Sequence, residues 1–378
     1  MTARTLVAAG LCAVMVPLVS ALPPALPDSA AWVVLDAGTA PPQAAPTPEI
    51  PVRSTRIERR DASAGLSATV TAIQRADNGP LWIGWTVPAV ASNDAHGNRW
   101  GDGDVGRCAL DDDGEIRNAH GINSGTRRLV ILVRSQDGQI TRVAFTDERC
   151  AVDAGARPVY FLSGVSPDQS VALMAALVRE TGPAGAAGRK HRPREQALPA
   201  LALHGTLAAD TALAEFVKPG QERDLRRDAA FWIGAARGAA GAATVERLAR
   251  DDADDDFREH LTFVLTLVGD RGIDTLITLA RHDASAKVRG QALFWLGQKA
   301  GQRAVDTVAA AVVDDPDREV RKKAVFSLSQ LPKDEGVPKL IAVARSHRDP
   351  EVRKQAMFWL GQSGDERAVR FFEDVLKN

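Results

Sequence analysis

The 378-residue chain has almost no net charge: 47 lysines and arginines stand against 48 aspartates and glutamates, a formal balance of -1. Without an excess of cations there is no long-range pull towards nucleic acid or an anionic membrane, so neither is expected as a partner. Cysteine is scarce as well, with three residues, Cys12, Cys108 and Cys150. None lies in a paired-cysteine spacing, and His96 and His120 follow no ligand pattern, so no metal site is read. Past residue 22 no apolar run is long enough to span a bilayer. The usual marks of an enzyme are missing: no nucleophile elbow, no HExxH, no phosphate loop and no Gly-rich dinucleotide turn. No cofactor is implied, and the chain reads as non-catalytic. With 45% hydrophobic and 25% charged residues it is neither disordered nor fibrous, and it has room for two or three domains.

What is present begins with Arg4, an uncharged apolar run over residues 5–22, and the small residues Val19, Ser20 and Ala21. This pattern predicts a signal peptide over residues 1–21, hence a periplasmic or secreted protein with no stable membrane insertion after cleavage. An uncleaved anchor is the alternative. Residues 22–54 are Ala- and Pro-rich and predict a disordered tether. Loss of Cys12 with the signal leaves Cys108 and Cys150 in an oxidising compartment, where one disulfide is the simplest arithmetic and two separate thiols the alternative.

Residues 55–180 read as a β-rich domain with one helix. LSATVTAIQRA (66–76) and LWIGWTVPAV (81–90) predict strands around Asp77-Asn78-Gly79-Pro80, and RRLVILVR (127–134) and QITRVAFT (139–146) flank the hairpin turn Asp137-Gly138. Residues 91–125 are polar and Gly-rich and read as a long loop held by the disulfide. Ser166-Pro167-Asp168 opens a helix through Val178 that covers one face of the sheet, with Ser166 as N-cap. Residues 181–193 read as a linker.

From residue 194 the sequence repeats. Phe231, Phe263, Phe294, Phe326 and Phe358 follow one another at 32, 31, 32 and 32 residues, and Arg226, Arg258, Arg289, Arg321 and Arg353 each stand five positions earlier. Ile233, Leu265, Leu296, Leu328 and Leu360 complete the apolar face of a helix in each unit. Apolar triples at i, i+3 and i+4, such as Val245-Leu248-Ala249 and Leu276-Leu279-Ala280, recur with the same period and mark a second helix. A hairpin of two helices cannot bury both faces alone, so the units must stack as a solenoid. Arg194 and Leu201 lie 32 residues before Arg226 and Ile233, which brings the count to about six.

DPDREVR (315–321) and DPEVR (349–353), followed by AVFSLSQL and AMFWLGQSGD, resemble the short HEAT-like repeats of the phycobilin-lyase subgroup, over roughly residues 190–378. The resemblance implies an α-solenoid of about six αα-hairpin HEAT-like repeats, here preceded by the small β-rich α/β domain. It also implies that Asp252, Asp283 and Asp315, each six before an arginine of the column, link adjacent repeats. His347 replaces the aspartate before Arg353, which leaves the last link open. Iron-dependent hydroxylases of this repeat class use His-Glu pairs, and this chain has no His-Glu dipeptide. Bilin lyases share the repeat, but here the likeness is confined to structural positions.

Two further columns are candidates for partner binding. Trp232, Trp295 and Trp359 follow the repeated phenylalanine and either recognise a ligand or pack as core. Arg250, Arg281, Arg345 and Lys377 recur at the ends of second helices, with Val313 interrupting, and form either a basic ridge for an acidic partner or a complement to the helix C-terminus. The acidic runs at 251–256 and 102–113 lack the calcium-loop pattern and read as solvated. The sequence therefore points to an exported scaffold that binds a protein partner. The alternative is an enzyme or enzyme subunit, lyase-like or hydrolase-associated, with its site in residues 91–125.

Overall fold

The computed structural model describes residues 52–90, 107–110, 116–117, 127–148, 150–180, 193–299 and 301–377. The expected signal, most of the expected tether, most of the expected linker and most of the 91–125 segment lie outside them. Residues 47–378 form one compact unit.

Its first part is a five-stranded mixed sheet in the order β2 (Ile57–Asp61), β9 (Val159–Ser163), β3 (Leu81–Pro88), β6 (Arg128–Gln136), β7 (Gln139–Asp147). β2, β9 and β3 run parallel, while β6 and β7 form the antiparallel hairpin. Its turn puts Asp137 at φ 52° and Gly138 at φ 71°. Two successive left-handed residues give the twist that a two-residue hairpin needs. A second sheet of short strands joins β1 (Val52–Arg53), β8 (Ala151–Asp153), β4 (Arg107–Leu110) and β5 (Ile116–Arg117). Strand structure therefore occurs within the stretch expected as a loop and in the last residues of the expected tether.

Alternation along the strands serves two cores. Ile83, Trp85, Val87, Leu129, Ile131 and Val133 face the helices, whereas Trp82, Val130 and Leu132 face Leu110, Val152 and Ala154 of the small sheet. The helical layer corrects one expectation. Residues 66–76 are not a strand but helix α1 (Leu66–Ala76), which buries Leu66, Val70 and Ile73. Ala and Thr at every second position fit a period of two on paper, but the three large residues follow the helical period, and their burial decides the outcome. α2 (Pro167–Arg179) begins where expected, with Pro167 in its first turn, although the Ser166 side chain makes no capping bond.

The second part is six stacked hairpins. Hairpin one pairs α3 (Pro193–Ala202) with α4 (Leu207–Phe216), and hairpin two α5 (Arg223–Ala236) with α6 (Gly238–Asp251). Hairpin three is α7 (Asp255–Leu265) and α8 (Asp270–His282), and hairpin four α9 (Ala286–Lys299) and α10 (Val305–Asp314). Hairpins five and six are α11 (Arg318–Gln330) with α12 (Lys333–Ser346) and α13 (Pro350–Gln362) with α14 (Glu366–Lys377). α3 lies against β7 and α2, so one buried apolar cluster runs from the sheet through the hairpins.

Within a hairpin the helices cross very closely. A Cβ on Gly272 would stand 1.9 Å from the Leu265 carbonyl oxygen. Gly241, Gly272, Ala304, Gly336 and Ala368 hold this small-residue position in hairpins two to six.

Candidate partner-binding surface and the polar junctions beneath it

Arg258, Arg289 and Arg321 of the repeat column work in two directions. The Nη1 of Arg258, Arg289 and Arg321 donates to the carbonyl six residues earlier, at Asp252, Asp283 and Asp315, over 2.7, 2.9 and 2.7 Å. The rest of the guanidinium reaches the following hairpin. Arg226 meets Asp252 at 2.6 Å, Arg258 grips Asp283 through two bonds of 3.0 Å, and Arg289 grips Asp315 at 2.8 and 3.0 Å. The fork of donors matches the two carboxylate oxygens, and nearly full burial keeps water from competing. Bonding to Asp283 and Asp315 holds the Arg258 and Arg289 guanidinium pKa above the ordinary value, against the opposing effect of burial.

These aspartates do not cap the next helix. They end the previous one and accept the backbone N–H two residues on, at Asp254, Ser285 and Asp317. Asp254, Asp317 and Asp349 supply the caps of α7, α11 and α13. The last link is made despite His347, because Arg321 reaches Asp349 at 3.3 Å. Asp349 thus serves as cap and as acceptor, while His347 Nε2 bonds the Val312 carbonyl at 3.0 Å.

The aromatic column forms a continuous band along the first helices. Phe231 and Phe263 stack at 6.2 Å, Phe263 meets Trp295 at 5.3 Å, Phe294 stacks on Phe326 at 5.9 Å, and Phe326 meets Trp359 at 5.0 Å. T-shaped pairs within a helix, Phe231–Trp232, Phe294–Trp295 and Phe358–Trp359, join these contacts into one chain of rings. The rings from Phe231 to Phe326 are half-buried, as are all three tryptophans. Glutamines run beside them, with Gln298 Nε2 donating to Gln330 Oε1 at 3.1 Å.

The basic column is less uniform. Arg250, Arg281, Arg345 and Lys377 all lie in the last turn of a second helix and are exposed. Arg281 donates to Thr307 of the next hairpin at 2.8 Å, and Arg345 sits over the Phe371 ring at 5.5 Å.

A third polar arrangement lies where the sheet meets hairpin one. Trp85 Nε1 donates to Ser170 Oγ at 2.8 Å, Ser170 lies 2.8 Å from His204 Nε2, and His204 Nδ1 bonds the Ala200 carbonyl at 2.7 Å. Burial, helped by nearby Arg237 and opposed by the bond to Ala200, pushes the His204 pKa down to about 4. A neutral ring with its proton on Nδ1 lets Nε2 accept from the serine, and every member is satisfied. Ser170 and His204 are wholly buried, so this serine–histidine pair is a clamp rather than a nucleophile. Beside it Val90 N–H bonds the Leu203 carbonyl and Gly205 N–H the Pro88 carbonyl, both at 2.8 Å. A Cβ on Gly205 would stand 2.3 Å from the Ala89 oxygen. Residues 85, 170 and 204 share no spacing that a sequence could reveal.

Among the described residues no group of three or more His, Cys, Asp or Glu could hold a metal ion, and no helix is long and apolar enough to cross a membrane.

Comparison with known proteins bears on the helical half. No curated protein matches the chain. Among solved structures it is similar to Escherichia coli YibA, with 21% identity, a TM-score of 0.32, 43% of this chain and 61% of that one covered. It is also similar to the complex of CpcE and CpcF of phycocyanin lyase from Nostoc, with 22% identity, TM-score 0.31, and 43% and 97% coverage. Human deoxyhypusine hydroxylase matches at 16% identity, TM-score 0.28, with 55% and 90% coverage. The family of HEAT repeats matches residues 273–345 and the PBS lyase HEAT-like repeat matches residues 352–378, so HEAT repeats are found over these stretches of the stacked hairpins.

Proposed function

We propose that this chain is an exported scaffold that binds a macromolecular partner, a protein by the chemistry of its surface, along the flank of the solenoid. The observation that carries the reading is the aromatic band. Rings stacked across successive hairpins remain half-exposed, and rigid aromatic area beside amide and basic side chains is what protein interfaces favour at their centre. Arg250, exposed at the end of α6, offers a cation to an acidic rim. Export is supported by the run at residues 5–22 and by the cysteines. β4 pairs with β8 so that Cys108 lies opposite Val152, two residues from the buried Cys150, which favours a Cys108–Cys150 disulfide in an oxidising compartment. The enzymatic alternative rests on residues 91–125, where only short strand backbones are described, and no observation favours it.

The test is affinity capture from the native envelope fraction with the wild-type chain and with Phe294→Ala/Phe326→Ala. Proteins held by the wild type and lost at least tenfold by the folded variant support the band as the docking surface. Equal capture by both removes it. A mature N-terminus near residue 22 is expected, and an intact Met1 would count against cleavage.

A further inference from the structure

Where hairpins four and five meet, the aromatic band has polar edges. On a helix the residues three before and four after a given position share its face. Gln291 and Lys323 therefore stand on one side of Phe294 and Phe326, and Gln298 and Gln330 on the other. Phe294, Phe326, Gln291 and Lys323 wall a recess of about 260 Å³. The stem of Lys323 crosses from α11 onto hairpin four, where a Cβ on Gly290 would stand 2.8 Å from Lys323 Cδ. Lys322 beside it pairs with Glu319, whereas among the described residues no carboxylate pairs with the exposed Lys323. On the far side Gln298 Nε2 gives one bond to Gln330 Oε1, and Gln330 Nε2 gives one to Ser329 Oγ. A side-chain amide has two N–H donors, so each of these exposed glutamines has one more to offer.

We infer that this groove takes a proline-rich segment of the partner protein in the polyproline II conformation, one turn per hairpin, with an acidic side chain at Lys323. The inference rests on the band being the docking surface and adds what docks there. Packed helices stand about 8–10 Å apart. One polyproline II turn advances about 9 Å in three residues, so every third residue returns to the same side and meets the next hairpin. A β-strand covers that distance in three residues too, but its side chains alternate, and every third one points away. An α-helix bonds its own backbone carbonyls and leaves the glutamines none to donate to. Polyproline II keeps its carbonyls free for Gln298 and Gln330, and its preformed shape lets proline rings settle on Phe294 and Phe326 at low entropic cost. The ammonium of Lys323, held at the rim by its stem, selects a carboxylate beside the prolines.

Fluorescence anisotropy with the full chain and two labelled synthetic peptides tests this. Both peptides have the same composition, with one central glutamate; one has proline at every third position and the other has its residues shuffled. The periodic peptide is expected to bind at least tenfold more tightly. Lys323→Glu weakens it at least tenfold, and replacing the peptide's glutamate by lysine restores binding to that variant. Gln298→Ala/Gln330→Ala, at two exposed positions, is the second variant and weakens the same peptide. Equal binding of the two peptides, or indifference to both variants, overturns the proposal. If the periodic peptide fails to bind while Phe294→Ala/Phe326→Ala still loses its captured proteins, the band stands as the docking surface and only the proline-rich occupant is overturned; equal capture by that variant removes the band itself.

Discussion

Two kinds of junction hold this molecule together, and they solve the burial of polar groups in opposite ways. Between hairpins the solution is ionic: Arg289, 10% exposed, against Asp315, 5% exposed, with backbone carbonyls taking the remaining donors. Between the sheet and hairpin one it is neutral: indole, hydroxyl, imidazole and carbonyl in a row. A charged pair suits an element that must be copied, because one Arg and one Asp per unit close the same geometry each time. A neutral relay suits a contact made once, and it places the only strongly displaced histidine among the described residues at the domain seam. The lesson is that proton concentration should loosen one junction and leave the other intact.

Breaking the ionic junction should have the largest effect. Arg289→Ala leaves Asp315 buried and unpaired, and about 3–5 kcal/mol of stability is expected to go. Urea denaturation measures it, and Arg289→Met/Asp315→Leu should recover most of the loss. Acid should strike the neutral junction next. His204 folds with its pKa depressed from 6.5 to about 4, so the unfolded chain binds the proton more readily. Its contribution is complete above pH 6.5 and drains away as pH falls towards 4, a loss of about 3 kcal/mol. Denaturation curves across that window should be flatter for His204→Gln than for the wild type; identical slopes would remove His204 from the account. The smallest effect belongs to an ion pair that imitates the inter-repeat links on the surface. Arg303 meets Asp270 and Asp274 at 2.7 and 2.5 Å but is 45% exposed, and Arg303→Ala should change stability by no more than about 1 kcal/mol.

The same contrast explains what the sequence made legible. Stacking imposes a period, and the period writes itself into Phe, Arg and Leu columns, so all six hairpins could be read, including the degenerate first. The Gly/Ala column at 241, 272, 304, 336 and 368 was equally readable and needed only the question of where two helices touch. The last link was read as open because His347 occupies the aspartate position; Asp349 closes it, since a long guanidinium tolerates an acceptor two residues along. The sheet was harder. Residues 66–76 fit two periods at once, β2 is a short charged strand, and β9 pairs with residues about a hundred positions earlier. Whether the tryptophan or basic column binds anything has no counterpart in spacing, because packing and recognition ask for the same side chains.

One consequence of the links concerns the order in which the solenoid comes apart. They lie in series: two bonds near 3 Å from Arg289 join hairpins four and five, and Asp349 takes one bond from Arg318 at 3.0 Å and one from Arg321 at 3.3 Å between five and six. With hairpin one fastened to the sheet, the stack has a polarity, and the hairpins nearest the sheet loosen last. Whatever grips the hairpins away from the sheet therefore governs the lifetime of the whole stack, as a knot governs a zip.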